Sequence, residues 1–132
     1  MIATFMVHCS NYIIVMKYTE LCKKIAGLHN RIEVVIVLSK NKLVASHLKS
    51  GGPVPEEEEL RSMISHIETI INTSKANEDK FGRLEFIIIH YKHIDGLFFP
   101  LSEHDTLIIG IVQPYNYDTI VNKILASITK HS

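Results

Sequence analysis

The sequence predicts one α+β domain in which helices cover both faces of a five-stranded antiparallel sheet. Its 132 residues are enough for a single domain with one core. Five short segments are β-branched or apolar, which is typical of strands. They fall into two groups, and within each group the connecting turns are too short for a parallel crossover. Three other segments carry apolar residues at helical spacing. The expected architecture is an α/β/α sandwich with the element order α-β-β-α-β-β-β-α.

The N-terminal segment, residues 1–15, is apolar, but it is too short for a transmembrane helix, which needs about 20 residues. It has no lysine or arginine before Lys17, whereas a secretory signal begins with a basic region. Met16 opens a segment that reads like a natural start. We therefore predict an N-terminal extension of doubtful status over 1–15 and a domain over 16–132, without stable membrane insertion.

The first half of the domain is predicted as a helix and a hairpin. Residues 18–29 place apolar side chains every three or four positions, which is typical of a helix packed on one face. Residues 32–38 are almost continuously β-branched, and 43–48 follow after a short polar turn that contains Asn41. The short linker permits only an antiparallel return.

The middle of the chain contains a long helix. The glycines and prolines of residues 49–55 interrupt regular structure, and a helix is predicted over 56–75 with acidic residues in its first turn. Its apolar stripe is typical of a core face, although such a stripe could also form part of a dimer interface. The stripe consists of Leu60, Met63, Ile64, Ile67, Ile70 and Ile71.

The last part of the chain predicts a three-stranded meander and a final helix. A polar connection over 77–82 precedes strands at 83–91, 97–101 and 106–112, and the first turn is expected at Asp95-Gly96. Asn116 or Asp118 is expected to cap the final amphipathic helix.

Several of these segments resemble the roadblock/LC7 family over Tyr18 to Ile128. YTELCKKIAGL resembles its opening helix, IEVVIVLSKNKLVASHL its first hairpin and EEELRSMISHIETII its middle helix. TLIIGIV and the helix after it resemble the family's ending. More narrowly, the opening Y-x-E-L-C-x-K-I and the F-P-L before the last strand resemble short roadblock-like proteins of ammonia-oxidising archaea.

The resemblance implies a roadblock/profilin-like fold and a cytoplasmic, non-catalytic adaptor or regulator of a small GTPase or signalling complex. It also implies a homodimer that pairs the middle helix and third strand of two copies. The dimer-interface residues expected on this basis are Met63, Ile67, Ile70, Glu85, Ile87 and Ile89. For a GTPase contact, the exposed positions His66 and Glu68 of the middle helix are the candidates. The alternative is a GAF/PAS-like small-molecule sensor, which requires a pocket between sheet and helices.

Charge and composition favour binding over catalysis. Fourteen basic residues balance 14 acidic residues, whereas a nucleic-acid site needs a basic stripe that displaces counterions. Cys22 lies on an apolar helix face, where a buried thiol stays protonated, and it has no identifiable base. We expect no catalytic site and no cofactor.

A cluster of histidines is the candidate for a metal site. His90, His93 and Asp95 lie close together in the sequence, and a further ligand would have to come from Glu103 or His104. Residues three apart on a strand point to opposite faces, so His93 would need the turn to bend it back. Polar turn residues are the favoured interpretation, and no metal is expected.

Overall fold

The computed structural model describes residues 2–50 and 56–131, without the side chains of residues 2–11, 57, 60 and 131. Residues 51–55 of the predicted break at 49–55 therefore lie outside the described residues, as does the side chain of the predicted stripe residue Leu60. The elements in chain order are α1 (Ile2–Ala26), β1 (Ile32–Ser39), β2 (Lys42–Leu48), α2 (Glu57–Lys75), α3 (Glu78–Phe81), β3 (Ile87–His90), β4 (Ile94–Pro100), β5 (Asp105–Val112) and α4 (Tyr117–His131).

The five strands form one antiparallel sheet in the order β2-β1-β5-β4-β3. This arrangement confirms the predicted fold class and element order, with the one-turn helix α3 added between α2 and β3. The outermost strands are β2 and β3, whereas the strongly apolar β1 and β5 lie inside the sheet. Interior strands are covered on both faces, which explains their nearly continuous apolar sequences.

Helices cover both faces of the sheet. The larger apolar core joins α1 and α4 to one face, and the smaller core joins α2 to the other face. In β1, Val35 and Val37 face the larger core, whereas Ile36 and Leu38 face α2. This alternation is the period-two pattern of a strand, and the two cores make the molecule an α/β/α sandwich.

The first helix is longer at its N-terminus than predicted. The prediction of a helix over 18–29 was wrong in its bounds, because α1 runs without interruption from Ile2 to Ala26. No glycine or proline occurs before Gly27, so nothing in the backbone ends the helix earlier. Side chains 12–17 are exposed, and packing against the sheet begins at Tyr18. A domain that begins near Met16 stays a prediction.

Within residues 2–50 and 56–131, no helix combines the length and the apolar character needed to span a bilayer.

The third strand is shorter than the predicted 83–91, because only Ile87–His90 pair with β4. Tyr91 N donates to Ile94 O at 3.0 Å, so the even-numbered residues of β4 direct their backbone groups towards β3. The next pair in this register would join Glu85 to Pro100. Proline has no N–H to donate, so the ladder ends before Glu85.

Candidate functional site

The outer edge of β3 is an open strand edge. In the part of the chain that the structure describes, β3 is the last strand of the sheet and pairs only with β4. Since Ile87 and Ile89 direct their backbone groups towards β4, Ile88 and His90 present theirs to solvent. Unpaired backbone donors and acceptors on an edge strand are a template for another strand.

One flank of α2 carries exposed apolar side chains. Met63 is 42% exposed and Ile70 is 44% exposed, whereas Ile64, Ile67 and Ile71 are buried against the sheet. Ser74, one helical turn after Ile70, lines a groove with residues 82–86, which lead into β3. The C-terminal end of α2 therefore lies near the segment that leads into β3, with Ile70 one turn before it. Met63, Ile70, Glu85 and Ile87–His90 are called the β3-edge surface below.

The structure divides the six predicted interface residues into two groups. Met63, Ile70 and Glu85 are exposed, whereas Ile67 is only 4% exposed and packs inside its own core. Ile87 and Ile89 are half-buried and pack against the core beneath α2. Both residues belong to the edge strand, although their backbone groups point towards β4, so five of the six residues belong to the β3-edge surface. The remaining residue, Ile67, is buried in the core and does not belong to this surface.

The groove beside this edge contains a residue that the sequence analysis missed. Phe81, the last residue of α3, is 83% exposed, although the sequence predicts a polar connection over 77–82. The groove has a volume of about 420 Å³, and Phe81 is one of the residues that line it. A single large aromatic residue within a polar segment was the available sequence signal.

The opposite flank of α2 is polar. Glu68 is half-buried, and its carboxylate lies against the Asn41 amide in the β1–β2 turn. A cleft of about 390 Å³ extends from this contact to the β4–β5 turn, lined also by Lys75 and His104. His66 is exposed on the solvent side of the helix. The two predicted GTPase-contact residues, His66 and Glu68, therefore lie on different sides of α2 and form no common site.

The space between α2 and the sheet bears on the sensor alternative. The cavity there, lined by described residues including Ile64, Ile67 and Ile108, has a volume of about 10 Å³. That is about the size of one water molecule, whereas ligand pockets measure about 300–1,000 Å³. The geometry of this layer does not favour a small-molecule sensor.

A buried carboxylate forms the densest polar cluster near the β3 edge. Asp95 is 7% exposed, and its Oδ1 atom lies 2.6 Å from both His90 Nδ1 and Gln113 Nε2. The Tyr115 hydroxyl donates to Oδ2. Gln113 Nε2 also donates to Tyr91 O at 2.8 Å, which uses both of its protons. Since an ionised carboxylate can only accept hydrogen bonds, His90 Nδ1 is the donor in its bond to Asp95.

The ionised form of Asp95 is stabilised in this cluster. Burial acts to raise the pKa of Asp95, but the hydrogen bonds from Tyr115, Gln113 and His90 outweigh it and hold the pKa below its ordinary value. Conversely, burial and the bond to Asp95 raise the pKa of Tyr115. A carboxylate with three donors ties the start of β4 to the residues after β5.

The predicted Asp95-Gly96 turn was wrong. Both residues lie inside β4, and the turn occupies residues 91–93. The sequence signal was misleading because Asp-Gly is common in turns. Here the Asp95 carboxylate is buried within a strand instead, and three hydrogen-bond donors compensate for its loss of water.

The residues of the predicted histidine cluster separate in the structure. His90 and Asp95 are paired, but His93 is exposed in the turn. Glu103 and His104 lie at the other end of β4, about 20 Å away at the rise of a strand. Among the described residues no group of three potential ligands could hold a metal ion.

Cys22 has the properties of a core residue. Its side chain is fully buried in the larger core, and burial raises the pKa of its thiol to about 12. The thiol is therefore neutral near pH 7 and a poor nucleophile.

The comparisons with known proteins agree with this architecture. No family model matches the chain, and no curated protein matches it. Among solved structures, a roadblock/LC7 domain from Streptomyces avermitilis superposes with a TM-score of 0.65 at 9% identity, covering 85% of this chain and 92% of that one. MglB of Myxococcus xanthus gives 0.67 at 12% identity, with 88% and 87% covered.

A third solved structure, described as MglB with a tetrameric arrangement, gives a TM-score of 0.59 at 10% identity. It covers 92% of this chain and 93% of the other. Identities this low carry information about the fold alone. The five-stranded sheet between α2 and the α1–α4 pair is thus the roadblock/LC7 fold, as the resemblance in the sequence predicted.

Proposed function

We propose that the protein is a homodimeric, non-catalytic interaction module that acts as an adaptor or regulator of a small GTPase or signalling complex. The single observation that carries the dimer is the open outer edge of β3, in a domain whose helix α2 also exposes Met63 and Ile70. Unpaired backbone groups next to apolar side chains are stabilised when a second strand covers them.

A second copy of the chain is well suited to cover this edge. An antiparallel strand edge is self-complementary about a two-fold axis, because each copy presents the same surface to the other. The chain has equal numbers of acidic and basic residues, so two copies carry no net charge that would repel them. Pairing at β3 would join the two sheets into one.

The link to a small GTPase rests on the resemblance in the sequence and on the shared fold. Roadblock-type proteins include regulators of such enzymes, and a dimer of this chain would leave the polar flank of α2 open. That flank carries a cleft of about 390 Å³ lined by Glu68, Lys75 and His104. Mixed charges around a cleft are typical of the rim of a protein contact. We propose that the partner binds there, in the cytoplasm.

The dimer is tested with Ile70→Glu. We expect the wild-type chain to have twice its 15.0 kDa mass in light scattering at micromolar concentration. Ile70→Glu should raise the dissociation constant at least about 100-fold, because each subunit would bury an unpaired carboxylate at the interface.

The matched control is Thr73→Glu, which introduces the same charge at an exposed position on the solvent side of α2. It should leave the mass unchanged. Circular dichroism checks that both variants keep their helices. A wild-type chain that is monomeric at micromolar concentration would contradict the proposed dimer.

The GTPase link is tested by titrating the protein into purified small GTPases in their GDP-bound and GTP-bound forms, with calorimetry as the measurement. We expect binding to one nucleotide state to be at least about tenfold tighter, a difference of about 1.4 kcal/mol. Glu68→Lys should weaken binding, because it reverses a charge in the cleft, whereas Thr73→Glu should not. Equal or undetectable binding to both states would remove the GTPase from the proposal.

A further inference from the structure

Helix α1 continues past the end of the sheet. The Tyr18 hydroxyl donates a hydrogen bond to the Asp105 carboxylate at the start of β5, and Asp105 pairs with Ser39 at the end of β1. Packing of α1 on the larger core begins at Tyr18. The residues before Tyr18 therefore lie beyond the sheet, at the end that carries the β1–β2 and β4–β5 turns.

The segment 12–16 of α1 exposes an apolar side chain at every position. Consecutive residues of a helix are about 100° apart, so five of them surround the helix axis. The apolar surface of this segment is therefore open on all sides, and the segment is called the apolar arm below. Its residues, which are between 39% and 66% exposed, are Tyr12, Ile13, Ile14, Val15 and Met16.

The apolar arm has no charged face that could stay in water when it binds a partner. Residues 1–16 contain no aspartate, glutamate, lysine or arginine. A helix that is apolar all round is normally enclosed on every side. One partner helix would cover one side of the arm and leave the others in water. The arm is therefore better matched to a medium that surrounds it.

The proposed homodimer leaves the apolar arm uncovered. Helix α1 packs over β1 and β2, whereas the proposed dimer joins two copies at β3. Strands β5 and β4 separate β1 from β3, a distance of about 14 Å at the usual spacing of neighbouring strands. The arm and the β3-edge surface are separate surfaces, so a partner for the arm has to be found elsewhere.

Lysines lie around the base of the apolar arm. Lys17 follows the arm directly, and Lys40 and Lys42 lie at the β1–β2 turn, at the same end of the sheet. All three are exposed, and within the described part of the chain none forms a salt bridge. The exposed acidic residues nearby are Glu20 on α1 and Glu103 in the β4–β5 turn. An apolar segment beside lysines is complementary to a bilayer with anionic headgroups.

We infer that the apolar arm binds the surface of an anionic lipid bilayer, with Lys17, Lys40 and Lys42 at the headgroups. From Ile2 to Met16 the helix is ~22 Å long at 1.5 Å per residue, whereas the apolar core of a bilayer is ~30 Å thick. The contact is therefore peripheral and reversible, which differs from stable insertion. It goes beyond the proposed function, because it places the interaction module at a membrane surface and leaves the β3 edge free for a second copy.

The first experiment measures flotation of the full chain with vesicles of phosphatidylcholine, with and without phosphatidylserine. The wild type should bind the anionic vesicles at least about tenfold more tightly than the neutral ones. The double variant Ile13→Asp/Ile14→Asp should weaken binding at least about 100-fold, because it places two carboxylates among the acyl chains. Both residues lie outside the core, so the domain keeps its fold, which circular dichroism checks.

The matched control is Met63→Asp/Ile70→Asp, which adds the same charge at exposed apolar positions of α2. It should bind vesicles like the wild type, although it should weaken the proposed dimer. Lys17→Gln/Lys42→Gln should reduce the preference for anionic over neutral vesicles.

The second experiment uses fluorescence to locate the arm. The chain contains no tryptophan, so Tyr12→Trp introduces a single reporter. Its emission should shift to shorter wavelength when anionic vesicles are added, because the ring leaves water. Asn122→Trp, exposed on α4, should show no such shift.

Three results would overturn the lipid contact. The first is a wild-type chain that does not float with anionic vesicles at micromolar concentration. The second is an Ile13→Asp/Ile14→Asp variant that floats equally well. The third is a lipid-free wild type with a mass above that of a dimer, which the same variant reduces, because copies of the chain would then cover the arm. None of these results removes the β3 dimer, which Ile70→Glu tests separately.

Discussion

Phe99→Ala should lower the free energy of unfolding by about 3–5 kcal/mol. The Phe99 ring is fully buried in the larger core, where it packs against Phe86 on the strand-edge side. It lies in β4 opposite Leu107 of β5, so its removal leaves a cavity between the centre of the sheet and the helices. Urea unfolding followed by circular dichroism measures the loss, which is a large part of the 5–15 kcal/mol typical of a domain.

Tyr12→Ala is the matched control for this measurement, because it deletes an aromatic ring that is 66% exposed on α1. Its effect should stay within about 0.5 kcal/mol. Both variants are compared at one protein concentration, since self-association adds to apparent stability. A loss below about 1 kcal/mol for Phe99→Ala would mean that the ring is not enclosed by α1, α4 and the sheet.

The sequence predicted the sheet and helices well where the apolar pattern was strong. The strands β1 and β5 have long β-branched runs, and their observed bounds lie within one residue of the predicted ones. Helix α4 begins where Asn116 Oδ1 accepts a hydrogen bond from Thr119 N at 3.1 Å, one of the two predicted caps. In these segments local preference and tertiary burial agree, which makes them readable from sequence.

The errors occur where a distant residue decides the local structure. Glu85 lies in a segment of strand-like composition, but Pro100, fifteen residues later, removes the hydrogen bond that would extend β3 to it. Similarly, Asp95 is buried because Gln113 and Tyr115 supply donors from beyond β5. No local pattern contains this information, since each case depends on the pairing of separate strands.

Only part of the β3-edge surface could be predicted, because its exposure also depends on distant parts of the chain. Met63, Ile67 and Ile70 follow one another at helical spacing, so the sequence places them in one stripe. In the structure Ile67 is buried against the sheet, whereas Met63 and Ile70 remain exposed to solvent. The width of an apolar stripe can be read from sequence, but how much of it the domain itself buries depends on where the sheet ends.

The second large effect is expected at the buried carboxylate. Asp95→Asn replaces an acceptor of three hydrogen bonds with an amide that brings its own donor among Gln113, Tyr115 and His90. At least one buried donor then loses its partner, so the free energy of unfolding at pH 7 should fall by about 3 kcal/mol. The substitution nearly preserves volume, so a cavity does not account for the loss. Asp118→Asn, the same change at an exposed position, should cost less than about 0.5 kcal/mol.

The pH dependence distinguishes loss of the carboxylate charge from a general packing defect. In the folded protein the pKa of Asp95 lies below its ordinary value, so the unfolded chain binds a proton at a higher pH than the folded one. The stabilisation is therefore fully present above the unfolded pKa of about 3.9 and is lost as pH falls through the folded pKa. The stability difference between wild type and Asp95→Asn should be constant from pH 7 to about pH 5 and should shrink below about pH 4. Urea unfolding at each pH measures it, and a difference that is the same at pH 7 and pH 3 would show that the ionised carboxylate is not what holds β4 to the end of β5.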